Sequence, residues 1–243
     1  MEYLRIYNTI DSTNKEAQRL LARGPVIPGL TLLARQQTDG RGQLGRTWIA
    51  EPGSHLAMTI IYQPSNLTPS ELPTLGMKIS LGIVRALQII DPSIDPSIKW
   101  PNDIYAVQMK LCGILIENSL SGGRVQHSII GIGMNVNEMH FPTEIPNAVS
   151  LFQLTGRLYD LEPIALTIRE HVLSILENEP TGWKATYDHS VFGKGHTFQF
   201  VSNESIFEAA VHGISMEGHL MLQTANGQIR SFASHELKWV IAP

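Results

Sequence analysis

The sequence is poor in cysteine, in charge and in long apolar runs, and each shortage removes a class of protein. Cys112 is the only cysteine, so a disulfide framework and a cysteine-built zinc site are both excluded. No apolar run approaches the roughly 18 residues of a membrane-spanning helix. Met1-Glu2-Tyr3 does not open a signal peptide, and a cytoplasmic protein is expected. Charged residues are 16% of the chain and apolar ones 43%, a balance foreign to disordered tails. Eighteen basic against 22 acidic side chains leave a net charge of −4, so no global positive field gathers nucleic acid. Any polyanion has to be met locally, and neither DNA nor a membrane is an expected partner.

What is present suits one or two domains: 243 residues can bury about 70–75% of their unfolded surface without covalent staples. A helix is expected from Ser12-Thr13, with Glu16 placed for a capping box, through Ala17, Leu20 and Leu21 to Gly24-Pro25. Leu30–Ala34 and His55–Tyr62 read as strands. A second helix begins near Ser70, carries Leu75, Ile79, Ile83, Leu87 and Ile90, and ends near Asp91-Pro92. Leu111–Leu120 and Val125–Val136 form a hairpin about Ser121-Gly122-Gly123. Helical spacing returns over Pro163–Glu177. Beyond Tyr187 short runs at Thr197–Val201, Ile206–Ile214, His219–Thr224 and Ile229–Phe232 alternate with Gly or Asn turns, as in a small β-barrel. The expected fold class is therefore α+β. A mixed-sheet catalytic domain flanked by helices, residues 1–188, precedes a small SH3-like β-barrel, residues 189–243.

Four segments have chemistry in them. Between the first two strands lies Gln37-Thr38-Asp39-Gly40-Arg41-Gly42-Gln43-Leu44-Gly45-Arg46. Its glycines allow backbone to approach a ligand, and its arginines offer forked donors to phosphate or carboxylate. The same composition also makes a plain surface loop, and it is neither a Walker loop nor a dinucleotide fingerprint. Lys99-Trp100-Pro101-Asn102-Asp103 could fix a bound group or simply turn the chain. Lys110 enters the apolar strand Leu111-Cys112-Gly113-Ile114-Leu115-Ile116, where it either snorkels to water or holds an anion. Gly113 within that strand suggests close approach of a ligand or backbone. Gly131-Ile132-Gly133-Met134-Asn135-Val136-Asn137 places asparagines at a strand end, for a turn or for a metal-bound phosphate. Buried among apolar neighbours, Cys112 reads as a small hydrophobe.

Taken in order, these segments resemble the biotin protein ligases. The resemblance rests on Ser12-Thr13-Asn14 behind an N-terminal strand and Gln37-Thr38 with Gly40-Arg41-Gly42 and Gly45-Arg46-x-Trp48. It continues through Lys99-Trp100-Pro101-Asn102-Asp103, Lys110-Leu111-x-Gly113-Ile114-Leu115 and Gly131-x-Gly133-x-Asn135-Val136-Asn137. It runs from Tyr3 to Asn137 by motif and more loosely to the C-terminus. It implies a two-step reaction: biotin and ATP give biotinyl-5′-AMP and pyrophosphate, then a lysine of a biotin carboxyl carrier protein, that of acetyl-CoA carboxylase, takes the biotin and AMP leaves.

The resemblance also assigns residues. Lys110, Arg41 and Arg46 are the catalytic cations, with Lys110 between the biotin carboxylate and the α-phosphate. Biotin contacts are implied for Ser12, Thr13, Asn14, Gln37, Gly40, Arg41, Gly42, Gln43, Lys110 and Gly113. ATP contacts are implied for Arg41, Arg46, Trp48, Lys99, Asn102, Asp103, Lys110 and Asn135. Mg²⁺ is expected to be held through the ATP phosphates, near Asn135, and not in a protein cage. A homodimer is compatible with the family. From the early Ser12-Thr13-Asn14 motif a short form is expected, without the N-terminal DNA-binding domain that some members carry. The chain departs from the family's Gly-Arg-Gly-Arg loop by having Gln43 at its fourth position. That loss of a guanidinium predicts either faster escape of the adenylate or compensation by Arg46. Two alternatives remain open at this level: a lipoate-protein ligase or related acyl transferase, which could use the same lysine, and a non-catalytic biotin sensor.

Overall fold

A computed structural model describes residues 3–45, 48, 51 and 53–240. Arg46 therefore lies outside the described residues. The chain runs β1 (Leu4–Ile10), α1 (Thr13–Arg23), β2 (Thr31–Gln37), β3 (His55–Tyr62) and α2 (Leu72–Ile90). It continues with β4 (Ser97–Lys99), β5 (Asp103–Ala106), β6 (Met109–Ser121), β7 (Arg124–Asn135), α3 (Leu151–Thr155), α4 (Leu161–Glu177) and α5 (Trp183–His189). The last strands are β8 (Thr197–Ser202), β9 (Ser205–Ile214), β10 (Leu220–Gln223), β11 (Ile229–Phe232) and β12 (Lys238–Val240). Strands β1–β7 form a seven-stranded sheet of order β1-β2-β3-β7-β6-β5-β4, and β8–β12 a five-stranded one of order β11-β10-β9-β8-β12. Among the described strands β1 and β2 pair in parallel and the other strand pairs are antiparallel. The architecture is mixed α+β, as expected.

Alternation along the strands decides which face of the large sheet is packed and which is left open. Leu56, Met58 and Ile60 of β3 and Ile130, Ile132 and Met134 of β7 enter the main core beneath α2 and α4. Ile61 and Ile129 point the other way, into a smaller cluster closed by Ala17 of α1 with Leu30 and Leu32. Farther along that second face the side chains shrink. Ala57 of β3 stands opposite Gly133 of β7, Gly133 opposite Gly113 of β6, and Gly113 opposite Asp103 of β5. Three strands thus present a shelf with nothing larger than a methyl group.

The N-terminus of α1 sits beside that shelf. Ser12 is its N-cap, but no side chain caps the helix, and the expected Thr13–Glu16 capping box does not form. The Thr13 hydroxyl is engaged with Gln37 and Thr59 instead, and Glu16 pairs with Arg19 at 2.6 Å. A capping box does form at Thr68 and Glu71, just ahead of α2. Strand β2 extends three residues past Ala34, to Gln37, which brings that amide to the open face. The β6–β7 hairpin turns through Gly122 and Gly123, both at positive φ, as a tight two-residue hairpin requires.

The second sheet shares the main core. Phe200, Ala209, Val211, Leu220 and Leu222 belong to the same buried cluster as α2 and β6. The Trp100 indole N–H donates to the Gly218 carbonyl at 2.8 Å. Among the described residues no pairing joins β11 to β12, so the unit is an antiparallel sheet, with the barrel closure outside what these strands display. No helix among the described residues is long and apolar enough to cross a membrane.

Candidate active site

A cleft opens over the small-residue shelf, with about 530 Å³ of empty space, part of it continuous with solvent. Its lining includes Ser12, Thr13 and Asn14 from the start of α1, Gln37 from the end of β2, Arg41, Gly42 and Gln43, Trp48, Asn102, Lys110, Gly113, Gly131 and Gly133. Residues 100 positions apart in sequence meet here because β3, β7 and β6 lie side by side.

One end is a neutral polar network. The Thr13 amide and hydroxyl both donate to Gln37 Oε1, at 2.8 and 3.0 Å. Backbone N–H can only donate, so the Gln37 oxygen is fixed as acceptor and its Nε2 is left for the cleft. Thr59 Oγ1 lies 2.7 Å from both Thr13 Oγ1 and Asn14 Oδ1. Asn14 Nδ2 donates to Glu117 Oε2 at 2.7 Å. Ser12, Thr13 and Asn14 are nearly buried, where unmatched polar atoms cost about 1–3 kcal/mol each. Such an end selects a ligand head by its donors and acceptors.

The other end is cationic and aromatic. Trp48 lies flat on the shelf: a Cβ on Gly113 would come within 2.9 Å of its Cζ3, and one on Gly133 within 2.9 Å of its Cε2. The Trp48 backbone N–H donates to the Gly40 carbonyl at 3.0 Å, which ties the neck of the glycine-rich loop. Lys110 crosses Gly113, places Nζ 2.7 Å from Asp103 Oδ1 and stands 5.5 Å from the Trp48 ring centre. Arg41 Nη2 pairs with Glu117 at 3.2 Å. Among the described residues, Arg41 Nε and Trp48 Nε1 are buried donors with no protein partner.

A second hollow adjoins the first. It is lined by Trp48, Tyr105, Lys110, Asn135, Phe141 and the stretch from Glu144 to Ala148. Trp48 and Lys110 belong to both, so the ammonium stands where the two meet. Burial, with the nearby Asp103 charge, pushes the Tyr105 phenol up to about 12, so it stays protonated near neutral pH. Asn135 Nδ2 donates to the Lys110 and Val149 carbonyls, at 3.2 Å each, and so anchors the backbone beneath Lys110. Asn102 likewise exchanges hydrogen bonds with Ile114.

One expected site residue lies apart from the others. Lys99 is not brought to the lining of either hollow. It is paired across β4–β5 with Asp103, but its Nζ lies over the rings of Tyr105 and Trp239, at 5.1 and 5.0 Å. Two aromatic faces draw the cation toward the second sheet. Asn135 lines the second hollow with Trp48 and Lys110, its amide nitrogen donated to backbone carbonyls. Cys112 is fully buried and burial pushes its thiol up, in keeping with a packing role. Two residues escaped the sequence reading, Thr59 and Glu117. The signal for Glu117 was present: a carboxylate within the apolar run Leu111–Leu120.

The site therefore combines a neutral hydrogen-bonding pocket with a cation and an indole leading into a second hollow. That layout suits an enzyme that holds an uncharged ligand head and an acidic or phosphorylated tail in line. Comparison with known proteins agrees with it. Residues 7–135 match the biotin/lipoate A/B protein ligase family. The bifunctional ligase/repressor BirA of Bacillus subtilis is 30% identical over 233 residues, 93% of this chain and 71% of that one. The biotin–[acetyl-CoA-carboxylase] ligase of Paracoccus denitrificans is 38% identical over 133 residues, 52% of this chain and 51% of that one. The structure of the Aquifex aeolicus biotin protein ligase in complex with biotin and ATP superposes with a TM-score of 0.79 over the whole of both chains, at 28% identity. The chain belongs to the biotin/lipoate A/B protein ligase family and is an enzyme of the biotin protein ligase type.

Proposed function

We propose that this protein activates biotin with ATP and transfers it to a lysine of a biotin carboxyl carrier domain, that of acetyl-CoA carboxylase. The observation that carries this reading is the position of Lys110, shared by a polar pocket and a second hollow. Biotin's uncharged ureido ring would sit among Ser12, Thr13 and Gln37, with its carboxylate reaching Lys110. ATP would occupy the far side of Trp48, with its α-phosphate meeting the same ammonium.

Two anions must approach each other for the first step, and a fixed cation in a cleft shielded from water offsets their repulsion more strongly than bulk water does. A biotin carboxylate oxygen attacks the α-phosphorus, the bond to the bridging oxygen breaks, and pyrophosphate leaves. Arg41 and Gln43 would cover the resulting mixed anhydride and limit its hydrolysis. In the second step the carrier's neutral lysine amine attacks the acyl carbon, its proton is lost and AMP departs. Lys110 supports both steps as a cation, not as a base.

Mg²⁺ fits this donor set only as a partner of the phosphates. Among the described residues no three His, Cys, Asp or Glu side chains converge, and Mg²⁺ is commonly held by one or two carboxylates, waters and substrate phosphates. Asp103 would hold it beside Lys110, where the ion supplies neutralising charge. We assign residues 1–188 the chemistry and residues 189–243 the support of that unit.

Pyrophosphate release from MgATP tests the first step. It should depend on biotin and fall about 10²–10³-fold in Lys110→Ala, the loss typical of a removed transition-state donor. Release without biotin, or an unimpaired variant, contradicts the assignment.

A further inference from the structure

Glu117 stands outside the cleft lining yet receives donors from two residues of it, Asn14 and Arg41, and from Gln18 of α1, which does not line it. Asn14 Nδ2 reaches Oε2 at 2.7 Å, Gln18 Nε2 reaches Oε1 at 3.2 Å, and Arg41 Nη2 reaches both oxygens at 3.3 and 3.2 Å. We propose that Glu117 is a positioning residue that sets the hydrogen-bond polarity of the biotin-head pocket; the proposal rests on the biotin reading above.

A carboxylate paired to a guanidinium only accepts. The Asn14 amide must therefore turn its nitrogen toward Glu117 and its oxygen toward Thr59. That oxygen sits tightly over Gly131, where a Cβ would come within 2.4 Å, and the nitrogen also reaches the Leu115 carbonyl, at the longer distance of 3.4 Å. The single Thr59 proton is then divided between two acceptor oxygens, Asn14 Oδ1 and Thr13 Oγ1, each 2.7 Å from Thr59 Oγ1. With its own proton given to Gln37 Oε1, Thr13 keeps an oxygen lone pair for a ligand N–H, while Gln37 Nε2 remains a donor for a ligand carbonyl. An amide at position 117 could donate as well as accept, and would let Asn14 turn over. Thr59 would then face a nitrogen, its proton would go wholly to Thr13, and the Thr13 oxygen would have one lone pair fewer for the ligand N–H. The same carboxylate holds Arg41 Nη2, while the buried Arg41 Nε has no protein partner among the described residues.

Glu117→Gln keeps shape and removes the charge, and it is measured by calorimetric biotin affinity, ATP KM in pyrophosphate release, and Tm. Losing one well-made polar match corresponds to about a tenfold weaker biotin Kd, with ATP KM and Tm close to wild type. Glu117→Asp, which retains an acceptor-only group, should recover part of the affinity. Gln18→Ala, which removes a Glu117 donor remote from the pocket, should leave biotin Kd unchanged. Unaltered biotin Kd in Glu117→Gln overturns the proposal. So do parallel losses of biotin affinity, ATP KM and Tm in the Gln and Asp variants, which describe a merely structural residue. Wild-type protein that takes no biotin overturns the ligand reading itself, and the proposal with it.

Discussion

Lys110 can serve two hollows because the residue three places on has no side chain. A Cβ on Gly113 would lie 3.3 Å from Lys110 Cε and Nζ and 2.9 Å from the Trp48 ring, so the lysine stem and the indole share the space one methyl would fill. Gly133 plays the corresponding part beneath Trp48. Gly133→Ala should displace the indole, at a cost of about 1–3 kcal/mol, and raise ATP KM about tenfold while biotin Kd moves little. Equal shifts in both constants would place Trp48 on the wrong side of the site. Gln43 lines the cleft in a short 3-10 turn, Gln43–Gly45, at the loop position where the family resemblance implies arginine. Gln43→Arg should slow dissociation of the acyl-adenylate, an off-rate readable by rapid-mixing fluorescence. Identical off-rates would mean that position 43 does not retain the intermediate. The motif residues at this scale were legible because each is chemically conspicuous in its segment. Thr59 was not, since a threonine in a strand is ordinary until its neighbours are known.

Elements with strong periodicity were legible too, and those without it were not. α2, β3, β6 and β7 follow their apolar spacing closely. The β5–β6 turn uses Val107 and Gln108 at positive φ, with no glycine or asparagine to announce a hairpin, so β4 and β5 stayed hidden. The short α3 and α5 held too few turns to show a period. The end of β7 has a consequence for stability. Glu138 is 4% exposed, and burial, against hydrogen bonds from Val136 and Ser54, raises its carboxyl from 4.5 to about 7. Between pH 4.5 and 7 the folded protein holds a proton that the unfolded chain releases, so this group's contribution to stability declines as pH rises. Above that window its buried charge opposes folding by about 1–3 kcal/mol. Tm should therefore drop from pH 5 to pH 8, and Glu138→Gln should flatten the profile. Parallel profiles for both proteins would remove Glu138 as the cause.

Across the molecule, the two sheets were legible as a change of texture near residue 187, but their union was not. Contacts such as Trp100 with Gly218 and Lys99 with Trp239 join positions more than a hundred residues apart, and no local pattern encodes them. The same long-range assembly makes the site: α1, β2, the glycine-rich loop, β6 and β7 each give residues that mean little alone. It also turns the polar pocket and the second hollow toward one ammonium, that of Lys110. The direct test weighs an apo biotin-carrier domain by intact mass spectrometry after incubation with the enzyme, biotin and MgATP, with lipoate in a parallel reaction and Lys110→Ala as control. The expected result is a biotin-sized increase on one carrier lysine, absent with lipoate and nearly absent with the variant. A lipoate adduct of equal yield, or a biotin adduct that survives Lys110→Ala unchanged, would contradict it.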